Sequence, residues 1–359
     1  MNSNDGTLLN EGKTEPAGRK AYEPWKERVE YIDFIKAIAI VYVILGHINF
    51  ANEAIKPWVM RVSVCAFFYV SGVFLKGNGA MTLSEWKYFV GKKFRALMVP
   101  YYLWAVIFTA FTVSNLAKII YASYQMIEDS GSSGVLWFFP VLFLCFLMYA
   151  CCRMAFQNRF TTTVKIILIV VTFGIAFLLP QVKYGYPMGV NSAFSAFGFF
   201  LMGNIAFPYM QRFHQYVSKN WVGLCICILA ACVSFAGTLL YRLNPASVSM
   251  ATGKYGNVAL FLVVAIAGIM FTISIALIID KVCFPKIKKW IAYIGRNSLA
   301  VCVLHILVVK VAEMAFQRVQ MPDWAELIIT CGFAITFSCV GNWLISMFAP
   351  VLLGKSEKR

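Results

Sequence analysis

The sequence predicts an all-α polytopic membrane protein with about ten transmembrane helices and both termini in the cytoplasm. Three observations carry that prediction. Of the 359 residues, 60% are apolar and only 13% charged, where a soluble domain has roughly 25% charged residues; mean hydropathy is +0.71. Apolar runs recur that are long enough to span a bilayer, since about 20 residues at ~1.5 Å rise cross a ~30 Å hydrocarbon core. Basic residues are shared unequally between the connections that join those runs.

Residues 1–29 are polar, with Gly, Pro and Lys and no apolar period, and predict a disordered cytoplasmic arm. They lack the charged-then-apolar order of a cleaved signal, so the first span is expected to be retained. Spans follow at about 31–50, 57–75, 97–116, 135–151, 164–181, 190–209, 221–241, 256–280, 290–312 and 326–350. They make residues 30–350 a ten-helix integral membrane domain, with 351–359 a basic tail. Counting along that scheme, the arm holds Lys13, Arg19, Lys20, Lys26 and Arg28. The even connections hold Lys76, Lys87, Lys92, Lys93, Arg95, Arg153, Arg159, Arg212, Lys219, Lys281, Lys286, Lys288 and Lys289, and the tail Lys355, Lys358 and Arg359. The odd connections hold only Lys56, Lys118, Lys183, Arg242, Lys254, Lys310 and Arg318. By the positive-inside rule, the even connections and both termini face the cytoplasm.

The net charge of +16 is therefore mainly a topology signal and an attraction to anionic membrane lipid. No aromatic-and-basic platform points to nucleic acid. The eleven cysteines fall in or beside apolar runs without CxxC or Cys/His spacing. They read as small apolar residues rather than as a disulfide framework or a metal site.

The first span, EYIDFIKAIAIVYVILGHINF, carries the chemistry. Ionisable groups inside a span are costly and mark function. Lys36 and His47 are eleven residues apart, which on a helix sets them within ~20° on one face and ~16 Å apart along the axis. Asp33 precedes Lys36 by one turn and can pair with it. The ninth span, IGRNSLAVCVLH, has Arg296 and Asn297 near its inner end, with Ser298 and His305 on one face. His305 reads equally as a hydrogen-bonded interhelical histidine. His214 is expected in a solvated inner loop. Residues 76–104 form a basic amphipathic segment running into Pro100. Lys92, Lys93 and Arg95 there suit either anionic lipid or the phosphates of a nucleotide-bearing donor.

Several of these pieces resemble the membrane-bound acyltransferase family 3. The span FIKAIAIVYVILGH is similar to that family's first-helix signature, a basic residue, ten mostly apolar residues and a histidine. FFYVSGVFLK (67–76), KKFRALMVPYYLW (92–104), LWFFPVLF (136–143) and IGRNSLAVCVLH (294–305) resemble its later motifs in the same order. Tyr31-Ile32-Asp33 with Lys36 looks most like the branch of fucose 4-O-acetylases and related sugar O-acetyltransferases. Two departures stand out: Lys36 where many relatives carry Arg, which loses the bidentate fork, and Ser63 and Cys65 where relatives often carry His and Pro. No hydrolase-like domain follows the last span, so the unit is expected to act alone or with a separate partner.

The resemblance implies transfer of acetyl from acetyl-coenzyme A, a donor substrate rather than a bound cofactor, to a hydroxyl of a cell-envelope saccharide. His47 would be the base, with Lys36 and its partner Asp33 on the same face three turns away, where Lys36 would meet the donor phosphates; an ordinary imidazole, pKa near ~6.5, can accept the hydroxyl proton at neutral pH. An acyl-histidine relay stays open. His305, Asn297 and Ser298 would orient the base or the acceptor, and Trp137 and Phe138 would stack on a sugar ring. Arg61 would meet the oxyanion or snorkel to the interface, and Lys92, Lys93 and Arg95 would hold the donor. The competing readings are a secondary transporter or lipid-linked sugar flippase and a pH sensor using His47. Gly72, Gly198 and Gly203 are small enough for close helix approach, and the oligomeric state is open.

Overall fold

In the computed structural model, which describes residues 29–48, 55–75, 80–110, 112–244, 247–316 and 322–355, the regular structure is helical and the described residues contain no strand. The polar arm expected over 1–29 therefore lies, but for Val29, outside the described residues, as do 356–359 of the tail. The helices are α1 (Glu30–His47), α2 (Ile55–Val73), α3 (Leu83–Phe108), α4 (Val113–Tyr121), α5 (Tyr124–Asp129), α6 (Phe138–Phe156) and α7 (Thr162–Leu178). They continue with α8 (Val190–Lys219), α9 (Trp221–Thr238), α10 (Val258–Val282), α11 (Pro285–Arg296), α12 (Ser298–Phe316) and α13 (Asp323–Phe348).

Six of them, with flanking 3-10 turns, are long and apolar enough to cross a membrane: Gly134–Arg159, Pro187–Lys219, Trp221–Leu243, Val258–Val282, Ser298–Phe316 and Asp323–Phe348. The other four expected spans coincide with α1, α2, α3 and α7. Their composition explains the difference. α1 carries Glu30, Asp33 and Lys36, α2 carries Lys56 and Arg61, and the first half of α3 is basic; α7 is apolar but 17 residues long.

Three boundaries differ from the expectation. From Leu83 onward the basic segment and the third span are one helix, started by a capping box in which the Thr82 hydroxyl accepts from the Glu85 N–H and Glu85 accepts from the Thr82 N–H; residues 76–79 of that segment lie outside the described residues. The ninth span is two helices broken at Asn297, whose side-chain amide donates to the Tyr293 carbonyl at 2.9 Å. His214 is likewise no loop residue. α8 continues past the expected end of its span, and His214 pairs with Asp280 at 2.6 Å under the ring of Tyr31, 4.5 Å away.

α1 lies at the centre of the bundle, packed by α2, α10, α11, α12 and α13. Helices buried on all sides are apolar all round, and α1 departs from that rule only at the charges that matter below. α9 is the opposite case: Trp221, Val222, Ile226, Leu229 and Val233 face outward, as a lipid-facing surface requires. Glycine sets the tightest joint. A Cβ on Gly72 would lie 1.8 Å from the Phe200 carbonyl oxygen, and one on Gly203 would lie 1.9 Å from that of Tyr69, so α2 and α8 touch backbone to backbone. Asn204 locks the joint by donating to the carbonyls of Gly72 and Leu75 at 3.1 and 2.8 Å, and Lys165 of α7 donates to its oxygen at 2.8 Å.

Candidate active site

A cavity of about 540 Å³ runs between α1, α2, α3, α6, α11 and α12, within the size range of small-molecule sites. One end is basic. Lys36 and Arg296 line it together with Leu97 and Ser71. Lys36 is held by Asp33 at 3.6 Å, whose carboxylate is nearly inaccessible, and its ammonium lies 4.2 Å from the Phe74 ring centre. Arg296 is brought there by another close approach: a Cβ on Gly295 would sit 1.8 Å from the Asp33 carbonyl oxygen. With no side chain at Gly295, α11 comes into contact with α1, and Arg296 lines the same cavity as Lys36.

His47 lines the same cavity nearer its other end. Its Nδ1 is 2.8 Å from the Val43 carbonyl oxygen. A carbonyl can only accept, so Nδ1 carries the proton and the neutral ring keeps its lone pair on Nε2. His305 has the same arrangement, with Nδ1 3.0 Å from the Val301 carbonyl. Its Nε2 is buried without a hydrogen-bond partner among the described residues. The two rings meet edge to face, centres 5.2 Å apart. The pair arises because α1 and α12 pack with both histidines one turn beyond the carbonyl that fixes their tautomer.

The end opposite Lys36 is walled by Tyr124, Glu128, Ser132, Ser133 and the head of α6, and by Ser249 to Ala251. The last three belong to a loop pinned onto α8. Ser192 donates to the Ala251 carbonyl at 3.2 Å, Asn191 to that of Thr252 at 3.3 Å, and the Ser195 and Tyr255 hydroxyls are 2.7 Å apart.

Of the residues singled out from sequence, Lys36, His47, Ser298, Trp137 and Phe138 line the cavity. Asp33 reaches it through Lys36 and His305 through His47. Asn297 caps the α11–α12 break instead. Arg61 is not in the lining; its guanidinium donates to the carbonyls of Pro57 and Asn244 at 2.8 and 3.1 Å and fixes the start of the pinned loop. Lys92 and Arg95 are exposed. The Lys93 ammonium lies 3.7 Å from the Phe146 ring centre, and none of these three lines the cavity. Arg296, Tyr124, Glu128 and buried Lys165 were not picked out as site residues. Lys165 had a signal, a lysine within an apolar run; Glu128 had none, because its loop reads as an ordinary polar connection.

The model of a family described as an acyltransferase domain matches residues 29–343, from the residue before α1 into α13. No curated protein matches the chain.

Proposed function

The chain belongs to the acyltransferase 3 family, and on that premise we propose that this membrane acyltransferase moves acetyl from acetyl-coenzyme A to a hydroxyl of a cell-envelope saccharide. The observation that carries the reading is one cavity joining two cations to a histidine whose tautomer leaves Nε2 basic. Lys36 and Arg296 suit the phosphates of coenzyme A at the cytoplasmic end. Lys92, Lys93 and Arg95, outside the cavity, raise the positive potential through which a polyanion approaches. From Lys36 to His47, about 16 Å of helix, the cavity suits an extended thioester arm.

In the reaction, the acceptor hydroxyl attacks the thioester carbonyl as His47 Nε2 takes its proton. The tetrahedral adduct then collapses, the carbon–sulfur bond breaks, and the imidazolium returns the proton to the leaving thiolate. His305 fixes the ring of His47 from behind. Trp137 and Phe138 offer aromatic faces for a sugar ring. The ten-span topology with both termini in the cytoplasm belongs to the same reading, and puts the product on the outer side. The test is transfer of labelled acetyl from acetyl-coenzyme A in inside-out vesicles, with host envelope saccharides as acceptors. Label is expected with the intact chain and lost in His47→Ala and Lys36→Ala; undiminished label in His47→Ala refutes the base, and no label with acceptor present refutes the reaction.

A further inference from the structure

We propose that Glu128, oriented by Tyr124, is the residue that selects the acceptor, and that it selects a neutral saccharide by accepting hydrogen bonds from a pair of its hydroxyls. The inference rests on the acyl-transfer reading above and adds the class of acceptor. It begins from the geometry at the cavity end away from Lys36. The Tyr124 hydroxyl donates to Glu128 Oε1 at 2.5 Å. The carboxylate's other oxygen has no hydrogen-bond partner among the described residues, and both side chains line the cavity that holds His47. A carboxylate only accepts, so what it can bind on that face is a donor: hydroxyl groups, the feature saccharides present most densely.

The arrangement is built, not incidental. α5 is anchored at its start, where Ser123 donates to the Tyr184 carbonyl at 2.6 Å and Tyr121 to that of Gly185 at 2.9 Å. At its end Ser130 closes a turn onto the Ile127 carbonyl at 2.7 Å. Gly134 completes the fit, since a Cβ there would lie 2.8 Å from Glu128 Oε1. The carboxylate therefore lies against the turn whose last residue is Trp137, and an acceptor ring held by Trp137 and Phe138 would meet Glu128 at its edge. Burial, and then the hydrogen bond to Glu128, push the Tyr124 phenol above its ordinary pKa, so it stays a donor at any physiological pH. Lys310 also lines this end; it is exposed on α12 as Glu128 is exposed on α5, and no ion pair joins the two. A fixed carboxylate repels an acidic sugar and accepts from a neutral one.

The experiment uses the purified full-length chain in detergent, with labelled acetyl-coenzyme A and neutral methyl glycosides, methyl glucuronide and the host envelope saccharide fraction as probes. The wild type is expected to label neutral saccharide at least about tenfold better than the glucuronide. Glu128→Gln should raise the acceptor KM about 10- to 100-fold, leave the acetyl-coenzyme A KM within about twofold, and narrow the discrimination against glucuronide. Tyr124→Phe should do the same more weakly. An unchanged acceptor KM in Glu128→Gln, with elution and thermal profile as wild type, overturns the inference while acyl transfer stands. Equal labelling of glucuronide by the wild type also overturns it. A wild type that cleaves the donor but labels no saccharide overturns the acceptor reading as a whole.

Discussion

Replacing Gly72 by alanine tests the joint on which the cavity wall depends. The new methyl would lie 1.8 Å from the Phe200 carbonyl oxygen and 2.7 Å from its carbon. Both are backbone atoms inside a regular helix, so no rotamer change relieves the clash, and α2 must move off α8 by more than about 1 Å. Overpacking of this kind costs about 1–3 kcal/mol or more. The same movement stretches the two Asn204 bonds to the Gly72 and Leu75 carbonyls, worth about 0.6 kcal/mol each in a membrane. The sum, about 2–4 kcal/mol, is a large share of a folding stability of about 5–15 kcal/mol. Gly174→Ala is the control, because a Cβ there meets nothing within 4 Å. Thermal unfolding of the detergent-purified chain should show Gly72→Ala lowered by at least about 5 °C and Gly174→Ala unchanged or slightly raised. Acetyl transfer should fall with it, since Ser71 on the same turn lines the cavity. If the two variants melt together, α2 and α8 are not in backbone contact and the account of the joint is wrong.

Three further outcomes are expected. His47→Gln keeps a polar side chain but loses the base, so kcat for acetyl transfer should drop about 10²–10⁴-fold in the vesicle assay. Arg296→Ala, which removes a cation lining the cavity, should raise the acetyl-coenzyme A KM about tenfold, whereas Lys92→Ala, outside the cavity and screened, should change it less than twofold above about 0.15 M salt; steady-state kinetics at two salt concentrations separate them. Lys165→Met leaves the Asn204 oxygen without the 2.8 Å bond it receives and should cost about 1–3 kcal/mol. Because both residues act on one joint, Lys165→Met with Asn204→Leu should cost less than the two singly, as a double-mutant cycle in thermal unfolding would measure.

The helical class and the first-helix constellation were legible because hydropathy and one helical period are local properties. Lys36 and His47 share a face by spacing alone, and Asp33 pairs with Lys36 within one turn. What spacing could not supply was partnership across the bundle. That His305 meets His47, that Arg296 reaches the cavity of Lys36 because Gly295 lacks a side chain, and that Arg61 turns to the Asn244 carbonyl all depend on packing between distant segments. His214 was misplaced because a helix that outlasts its apolar run looks, in sequence, like a loop. Ser249 to Ala251 reach the cavity only because Asn191, Ser192 and Ser195 of α8 hold their loop down, and no periodicity records such a bond.

The central place of α1 has a consequence for synthesis. The helix at the centre of the bundle leaves the ribosome well before α10, α11, α12 and α13, which enclose it. Until then the cavity has neither Arg296 nor the second imidazole. A chain arrested after α8 would thus hold most of the wall and none of the completed centre. Such an arrested chain should be recognised by membrane proteases through its stranded first helix, well before any activity could appear.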